Sequence, residues 1–326
     1  MDIGQSFRSR PLDESQVAAW AALLAAIEAV DHQDETMGED NLRTEFDDPS
    51  QDFARGSVAV YDGSAMVAYC VLTPRCSQEA REVRHGVRHS GGVHPAYRER
   101  GIGSALLSWA EETAGPLHDD QHPGRPLSLS GRFPARLAEA SALFTAYGYQ
   151  PERWFLRMTK DLRNGIDEPP VPDGVRIVPY TQERSADALL IKNESFRDHW
   201  GSTEHTPQEW EHFLAYEAFK PEFSFLAYAG SDPLGIVIGQ EYEEYNRVAG
   251  HRDVYIPLVG TRRQARGRGI ASALVRRALT AARADGVESA ALDVDADSPS
   301  GAVGLYERIG FSVHDTWVSQ TKQLAV

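Results

Sequence analysis

Two short segments of this chain have the residue types of a phosphate-binding turn. Arg98-Glu99-Arg100-Gly101-Ile102-Gly103-Ser104-Ala105-Leu106 and Arg266-Gly267-Arg268-Gly269-Ile270-Ala271-Ser272-Ala273-Leu274 lie 168 residues apart and differ only at Glu99/Gly267 and Gly103/Ala271. A β-rich stretch, Val254 to Val259, leads into the second copy. Ile270, Ala273, Leu274, Ala278 and Ala281 then recur at helical spacing. A helix that starts straight after a glycine turn gathers unpaired N–H groups and the positive end of its dipole at one point. That arrangement binds phosphate or pyrophosphate, and glycine lets the backbone approach the ligand. One copy alone reads equally well as a basic surface turn, but two copies on one frame favour the ligand. A dinucleotide fingerprint fits poorly, since Leu106 and Ser272 replace the third glycine, and no P-loop Gly-Lys-Ser/Thr follows.

A second pair of segments keeps the same order. Leu143-Phe144-Thr145-Ala146-Tyr147-Gly148-Tyr149 resembles Leu305-Tyr306-Glu307-Arg308-Ile309-Gly310-Phe311 at an offset of 162. Two matching pairs at nearly one offset imply a duplicated domain. Tyr306 shares a helix face with Ala302, Leu305 and Ile309, and periodicity alone favours a packed core tyrosine. Phe144 stands at the matching place in the first copy. His85, His89 and His94 fit neither one helix face nor a zinc spacing, so no metal is expected. Cys70 and Cys76 match neither a zinc knuckle nor a redox pair and read as free thiols.

The elements that must position these groups repeat as well. Val58 to Tyr61 and Met66 to Leu72 flank an Asp62-Gly63 turn, while Phe225 to Ala229 and Leu234 to Gly239 flank Gly230 to Pro233. Each half opens with a helix: Asp13 and Gln16 look like a capping pair before Val17 to Ala29, and Thr181 a cap for a helix towards Phe196. Between the halves, Arg163 to Pro172 carries three prolines and little apolar surface, as a linker does. The expected domains are 1–165 and 175–326, with 166–174 as linker. The 326 residues suffice for two domains, and 41% hydrophobic with 25% charged residues is an ordinary globular mixture. A net charge of −15 argues against nucleic-acid and anionic-membrane partners, despite the Arg262, Arg263, Arg266, Arg268 cluster. The start lacks a basic segment followed by an apolar core. The most apolar run, Ala18 to Ile27, is about half a bilayer span, so a cytoplasmic protein is expected.

Both glycine segments resemble motif A of the GNAT superfamily of N-acetyltransferases, Arg/Gln-x-x-Gly-x-Gly/Ala, through Arg98, Gly101 and Gly103 and through Arg266, Gly269 and Ala271. The first copy carries the family's Val-x-Pro lead-in as Val93-His94-Pro95. The second departs, with Thr261-Arg262-Arg263. The resemblance spans nearly the whole chain and implies an α/β fold with a mixed sheet, built as two tandem GNAT-type acyl-CoA-binding domains. Acetyl-CoA is then the acyl donor, held where two parallel strands splay apart. Its pyrophosphate would meet Arg266, Gly267, Arg268, Gly269, Ile270, Ala271 and Ser272, and its pantetheine arm Val259, Gly260 and Thr261. The matching positions in the first copy are Gly91, Gly92 and Val93 with Arg98, Glu99, Arg100, Gly101, Ile102, Gly103 and Ser104.

The resemblance also assigns roles. Tyr306 matches the family's proton donor to the CoA thiolate, so the second domain is expected to be catalytic and the first degenerate. A strand N–H near Val259 or Gly260 would stabilise the oxyanion. In tandem members with this layout a strand carboxylate lies six residues before the position of Thr261; Tyr255 stands there instead. Asp253, two residues earlier on the same face, is the candidate base, acting through water, and equally reads as a strand-end surface residue. Glu241, Glu243 and Glu244 are weaker candidates. The segment after the first helix often covers the acceptor site in this family, which puts Asp198, His199 and Trp200 beside the acceptor, with Tyr255; a packed turn is the plainer reading. The acceptor is a small-molecule or peptide amine. The rival reading is a non-catalytic acyl-CoA-binding scaffold or sensor.

Overall fold

The computed structural model describes residues 7–34, 36–74, 86–121, 123–167, 171–197, 199–200, 202–298 and 301–324. Cys76, His85 and Asp198 lie outside the described residues.

Alternating apolar strands and amphipathic helices appear in the order the repeat requires. The first half forms β1 (Arg8–Arg10), α1 (Val17–Asp31), α2 (Glu39–Glu45), α3 (Phe53–Gly56), β2 (Ser57–Asp62), β3 (Ala65–Pro74), β4 (Gly86–Val93), α4 (Ile102–Gln121), β5 (Leu127–Pro134), α5 (Ala138–Ala146) and β6 (Gln150–Asp161). The second forms β7 (Arg176–Pro179), α6 (Ser185–Phe196), α7 (Pro207–Ala215), β8 (Phe219–Ala229), β9 (Asp232–Gln240), α8 (Glu243–Ala249), β10 (Asp253–Thr261), α9 (Ile270–Ala284), β11 (Ser289–Asp295), α10 (Ala302–Ile309) and β12 (Ser312–Leu324). Thr181 does not cap α6: its hydroxyl accepts from Arg184 Nη1 at 2.9 Å, and a 3-10 turn intervenes. Asp13 caps a similar turn before α1 by accepting from Ser15 N, 2.9 Å.

Compactness divides the chain elsewhere than at the 166–174 linker. One unit comprises Met1–Arg153 with Trp317–Val326, the other Trp154–Thr316. In the first unit β1 to β4 pair antiparallel in sequence order, β4 pairs β5 in parallel, and β5 pairs antiparallel with Trp317–Leu324 of β12. In the second, β7 to β10 pair antiparallel, β10 pairs β11 in parallel, and β11 pairs antiparallel with Phe155–Asp161 of β6. The two units have one plan, and each takes its last strand from the other half of the sequence.

In the second unit α9 buries Ile270, Leu274, Val275, Ala278 and Leu279 against Val254, Ile256 and Leu292. Each such isoleucine, leucine or valine contributes about 1.5–3 kcal/mol of burial free energy. On the opposite face Ile191 of α6 and Trp210 of α7 pack with Leu226, Ile238 and Leu258. Val254 and Ile256 thus face α9 while Leu258 faces α6. The alternation flips because β10 shifts register against β9 between Tyr255 and Leu258, as a β-bulge does. β4, its counterpart, keeps one unbroken register with β3 from Ala68↔Val93 to Pro74↔Val87.

Candidate active site

Both units open a gap between parallel strands. β10 and β11 pair from Asp253↔Ser289 to Tyr255↔Ala291 and no further, although β10 runs on to Thr261. β4 and β5 pair from Gly86↔Ser128 to His89↔Gly131, and β4 runs on to Val93. Arg262 N–H donates to Leu234 O, 2.9 Å, in the same register as Gly260↔Ile236 and Leu258↔Ile238. Antiparallel hydrogen-bonded and non-bonded pairs alternate. The N–H groups of Leu258 and Gly260 therefore point to β9, and those of Val259 and Thr261 point away from it into the gap. Of the two residues considered for the oxyanion, Val259 has the orientation and Gly260 does not.

On β10 of the second unit a Cβ on Gly260 would sit 3.2 Å from Ser195 Cβ and from Ile236 Cγ2. Ser195 Oγ and Thr261 Oγ1 are buried with no hydrogen-bond partner among the described residues. A bound amide chain would answer such groups, because a buried polar atom without a partner costs about 1–3 kcal/mol. Beyond them, Gly267 and Gly269 adopt φ of +76° and +81°, and α9 begins at Ile270. In the first unit Glu99 and Gly101 adopt +61° and +78°, so the two loops share a left-handed pair. Glu99 takes up this conformation at a steric cost that Gly267 avoids. Arg266 does not point freely at a ligand: it donates to Ser195 O at 2.8 Å and Thr261 O at 3.2 Å. Arg98 is bidentate to Asp31, 2.8 Å on each arm.

Tyr306 lies in α10, which packs on β11. Its ring contacts Phe311 edge-on and belongs to the core, as periodicity favoured. Its hydroxyl has no hydrogen-bond partner among the described residues, and burial pushes its pKa up, so the phenol stays protonated and able to donate. Phe144 is closed in by aromatic neighbours: it stacks on His89 at 5.1 Å and lies 5.0 Å from Tyr149.

Asp253 is buried at the closed end of the gap. Ser289 Oγ donates to its carboxylate and its N–H donates to Asn246 Oδ1, 2.9 Å. Val259 lies six residues away, about 20 Å of extended strand. Glu241 is held by both arms of Arg252, 2.7 and 2.9 Å, and Glu244 by Arg247. His199 Nδ1 lies 3.1 Å from Trp200 O, and Trp200 packs on Phe155 at 6.0 Å.

That last contact leads to residues the sequence reading did not single out. Phe155 and Arg157 of β6 pair with Asp295 and Asp293 of β11, so all four side chains share one sheet face. Arg157, 4% exposed, donates to Asp293 at 2.8 and 3.1 Å and sits over the Tyr255 ring at 5.8 Å. Phe155, Arg157, Asp293, Asp295 and Tyr255 form a platform, with Trp200 packed on it at Phe155. A weak signal exists in the sequence: Leu156 and Met158 alternate inward, which turns Arg157 to the other face. Nothing local names its partner 136 residues away.

Among the described residues no group of three or more His, Cys, Asp or Glu could hold a metal ion. His89 is buried in β4, and His94 accepts from Ala96 N at 3.1 Å. Among the described residues no helix is long and apolar enough to cross a membrane.

Splayed parallel strands, a glycine turn at a helix start and a phenol on the following helix define a class of acyl-CoA-dependent transferases. The GNAT acetyltransferase family model matches residues 190–311, and a GNAT acetyltransferase domain model matches 54–151. Mycothiol acetyltransferase of Geodermatophilus obscurus is 30% identical over 315 residues, covering 94% of each chain. That of Thermobispora bispora is 27% identical over 318 residues, covering 96% of this chain and 97% of the other. A GCN5-related N-acetyltransferase from Sphaerobacter thermophilus superposes with a TM-score of 0.72 at 26% identity, over 99% and 97% of the two chains. The chain belongs to the GNAT acetyltransferase family. It is a tandem N-acetyltransferase, and acetyl-CoA is its acyl donor.

Proposed function

We propose that the second unit carries out transfer by direct attack of an acceptor amine on acetyl-CoA. The observation that carries this is the asymmetry between two otherwise matching gaps. Only the second has both a bulge in its central strand and a phenol, Tyr306, where the first has an unbroken strand and Phe144. The Val259 N–H, aimed into the gap, is placed to polarise the thioester carbonyl and stabilise the oxyanion. The acceptor would lie on the platform beside Trp200, against Phe155 and Tyr255. Binding both reactants side by side supplies much of the rate, and Tyr306 protonates the departing thiolate. For the amine's proton we favour Asp295, on the platform face at the open end of β11, over Asp253 at the closed end.

The first unit keeps its Arg98–Ser104 loop and Gly91–Val93 strand as a CoA-holding partner without transfer. The relatives' shared name makes a mycothiol-related amine the first acceptor to assay. Tyr255 in place of a strand carboxylate makes a different amine the alternative arm of that assay. The protein acts in a reducing cytoplasm, where Cys70 stays a thiol.

The test is Tyr306→Phe. Turnover, read as CoA thiol released, should fall by about 10²-fold or more, with acetyl-CoA affinity by calorimetry nearly unchanged. Undiminished turnover would remove Tyr306 from the reaction and the asymmetry argument with it.

A further inference from the structure

The first unit contains a cavity of about 950 Å³. Gly101 and Ser104 of its glycine loop, Gly91 and Gly92 of the gap, and Trp20, Leu24 and Met37 of its helical side all line this one space. A cavity of that size is at the upper end of small-molecule sites. It extends well past the gap, into a region walled by α1. We propose that this cavity holds an acyl-CoA whose acyl chain is longer and more apolar than acetyl, bound but not transferred. The proposal rests on the reading that the first unit's loop still binds CoA.

The alternative occupant, an acceptor amine, meets the wrong chemistry. The carboxylates nearest the α1 end are already engaged: Glu28 accepts from Gln33 N and Asp34 N, both 2.9 Å, and Asp31 accepts from Arg98. An apolar chain instead gains from Trp20, Leu24, Ile27 and Met37 what any buried methylene gains. Transfer is absent because Phe144, also in the lining, replaces the proton donor, and His89 beside it is held neutral by burial, with a pKa lowered to about 4.

The experiment is calorimetric titration of the full chain with acetyl-, butanoyl-, hexanoyl- and octanoyl-CoA. One site should tighten by up to about fourfold per added methylene, the burial free energy of one CH₂. Leu24→Trp, which fills the α1 wall, should abolish the gain while acetyl-CoA still binds. Leu24→Phe serves as the milder variant and should reduce the gain in part. Octanoyl-CoA should release no thiol from Tyr306→Phe protein. Equal affinity along the series, a gain that survives Leu24→Trp, or displacement of octanoyl-CoA by acceptor amines would each overturn the proposal. Acetyl transfer is read in the same samples. A flat series with transfer intact refutes this inference alone, whereas intact chain-length dependence with transfer unaffected by Tyr306→Phe refutes the catalytic reading alone.

Discussion

Replacing Arg157 by Met should destabilise the second unit far more than loss of a surface ion pair would. Arg157 is 4% exposed and Asp293 10% exposed. Breaking so buried a pair by removing one member costs about 3–5 kcal/mol; an exposed pair costs about 0–1. For a unit of this size about 1 kcal/mol shifts Tm by roughly 2–4 °C, so the loss is on the order of 10 °C. Asp293→Leu should lose a similar amount. The double variant Arg157→Met/Asp293→Leu should recover most of it, because no isolated charge remains and the volume is kept. The assay is a double-mutant cycle by urea denaturation, following circular dichroism. Additive losses, or a single-variant loss below about 1 kcal/mol, would refute the claim that the platform is held by a desolvated ion pair.

Further outcomes follow from the same geometry. Glu99→Gly should stabilise the first unit by up to about 1 kcal/mol, by relieving the left-handed strain, and Gly267→Glu should weaken the second by a comparable amount; both are read as denaturation midpoints. His89 has a pKa near 4 in the fold against an ordinary 6.5, because burial disfavours its charged form. Between those values the unfolded chain binds a proton that the folded chain does not. Its contribution to stability is therefore full above about pH 6.5 and is lost as pH falls towards 4. A urea series across that range should slope less in His89→Leu than in wild type, and equal slopes would refute the assignment. Asp295→Asn should lower kcat for acetyl transfer by about 10²-fold or more, and an unchanged kcat would exclude it as the proton acceptor.

Much of this was readable from residue types. The duplicated Arg-x-x-Gly segments fix two strand–turn–helix units because their glycines and helix faces are local properties. Tyr306 against Phe144 is legible for the same reason, as one position within one repeat. The platform was not legible. Arg157 and Phe155 are brought onto one face with Asp293 and Asp295 by cross-strand register, and register is set by a pairing that no short window encodes. The bulge in β10 was hidden too. Tyr255 to Leu258 reads as continued alternation, and the flip is visible only when Val254 and Ile256 face α9 while Leu258 faces α6. The proline-rich stretch at 163–172 marked a change in composition, whereas compactness follows strand pairing and cuts at 153 and 316.

The strand that completes the first unit's sheet, Trp317–Leu324, is made only after the whole of the second unit. Until then the edge of β5 from Leu127 to Pro134 has no partner on that side, although everything preceding it has already been made. Synthesis at about 5–20 residues per second leaves that edge open for roughly ten seconds or more. The second unit, by contrast, is contiguous from Trp154 to Thr316 and can close first. The order of birth is thus inverted. The half translated first is completed after the other, and a nascent chain stalled before Trp317 would carry an exposed β-edge, the kind of surface that recruits chaperones or neighbouring chains.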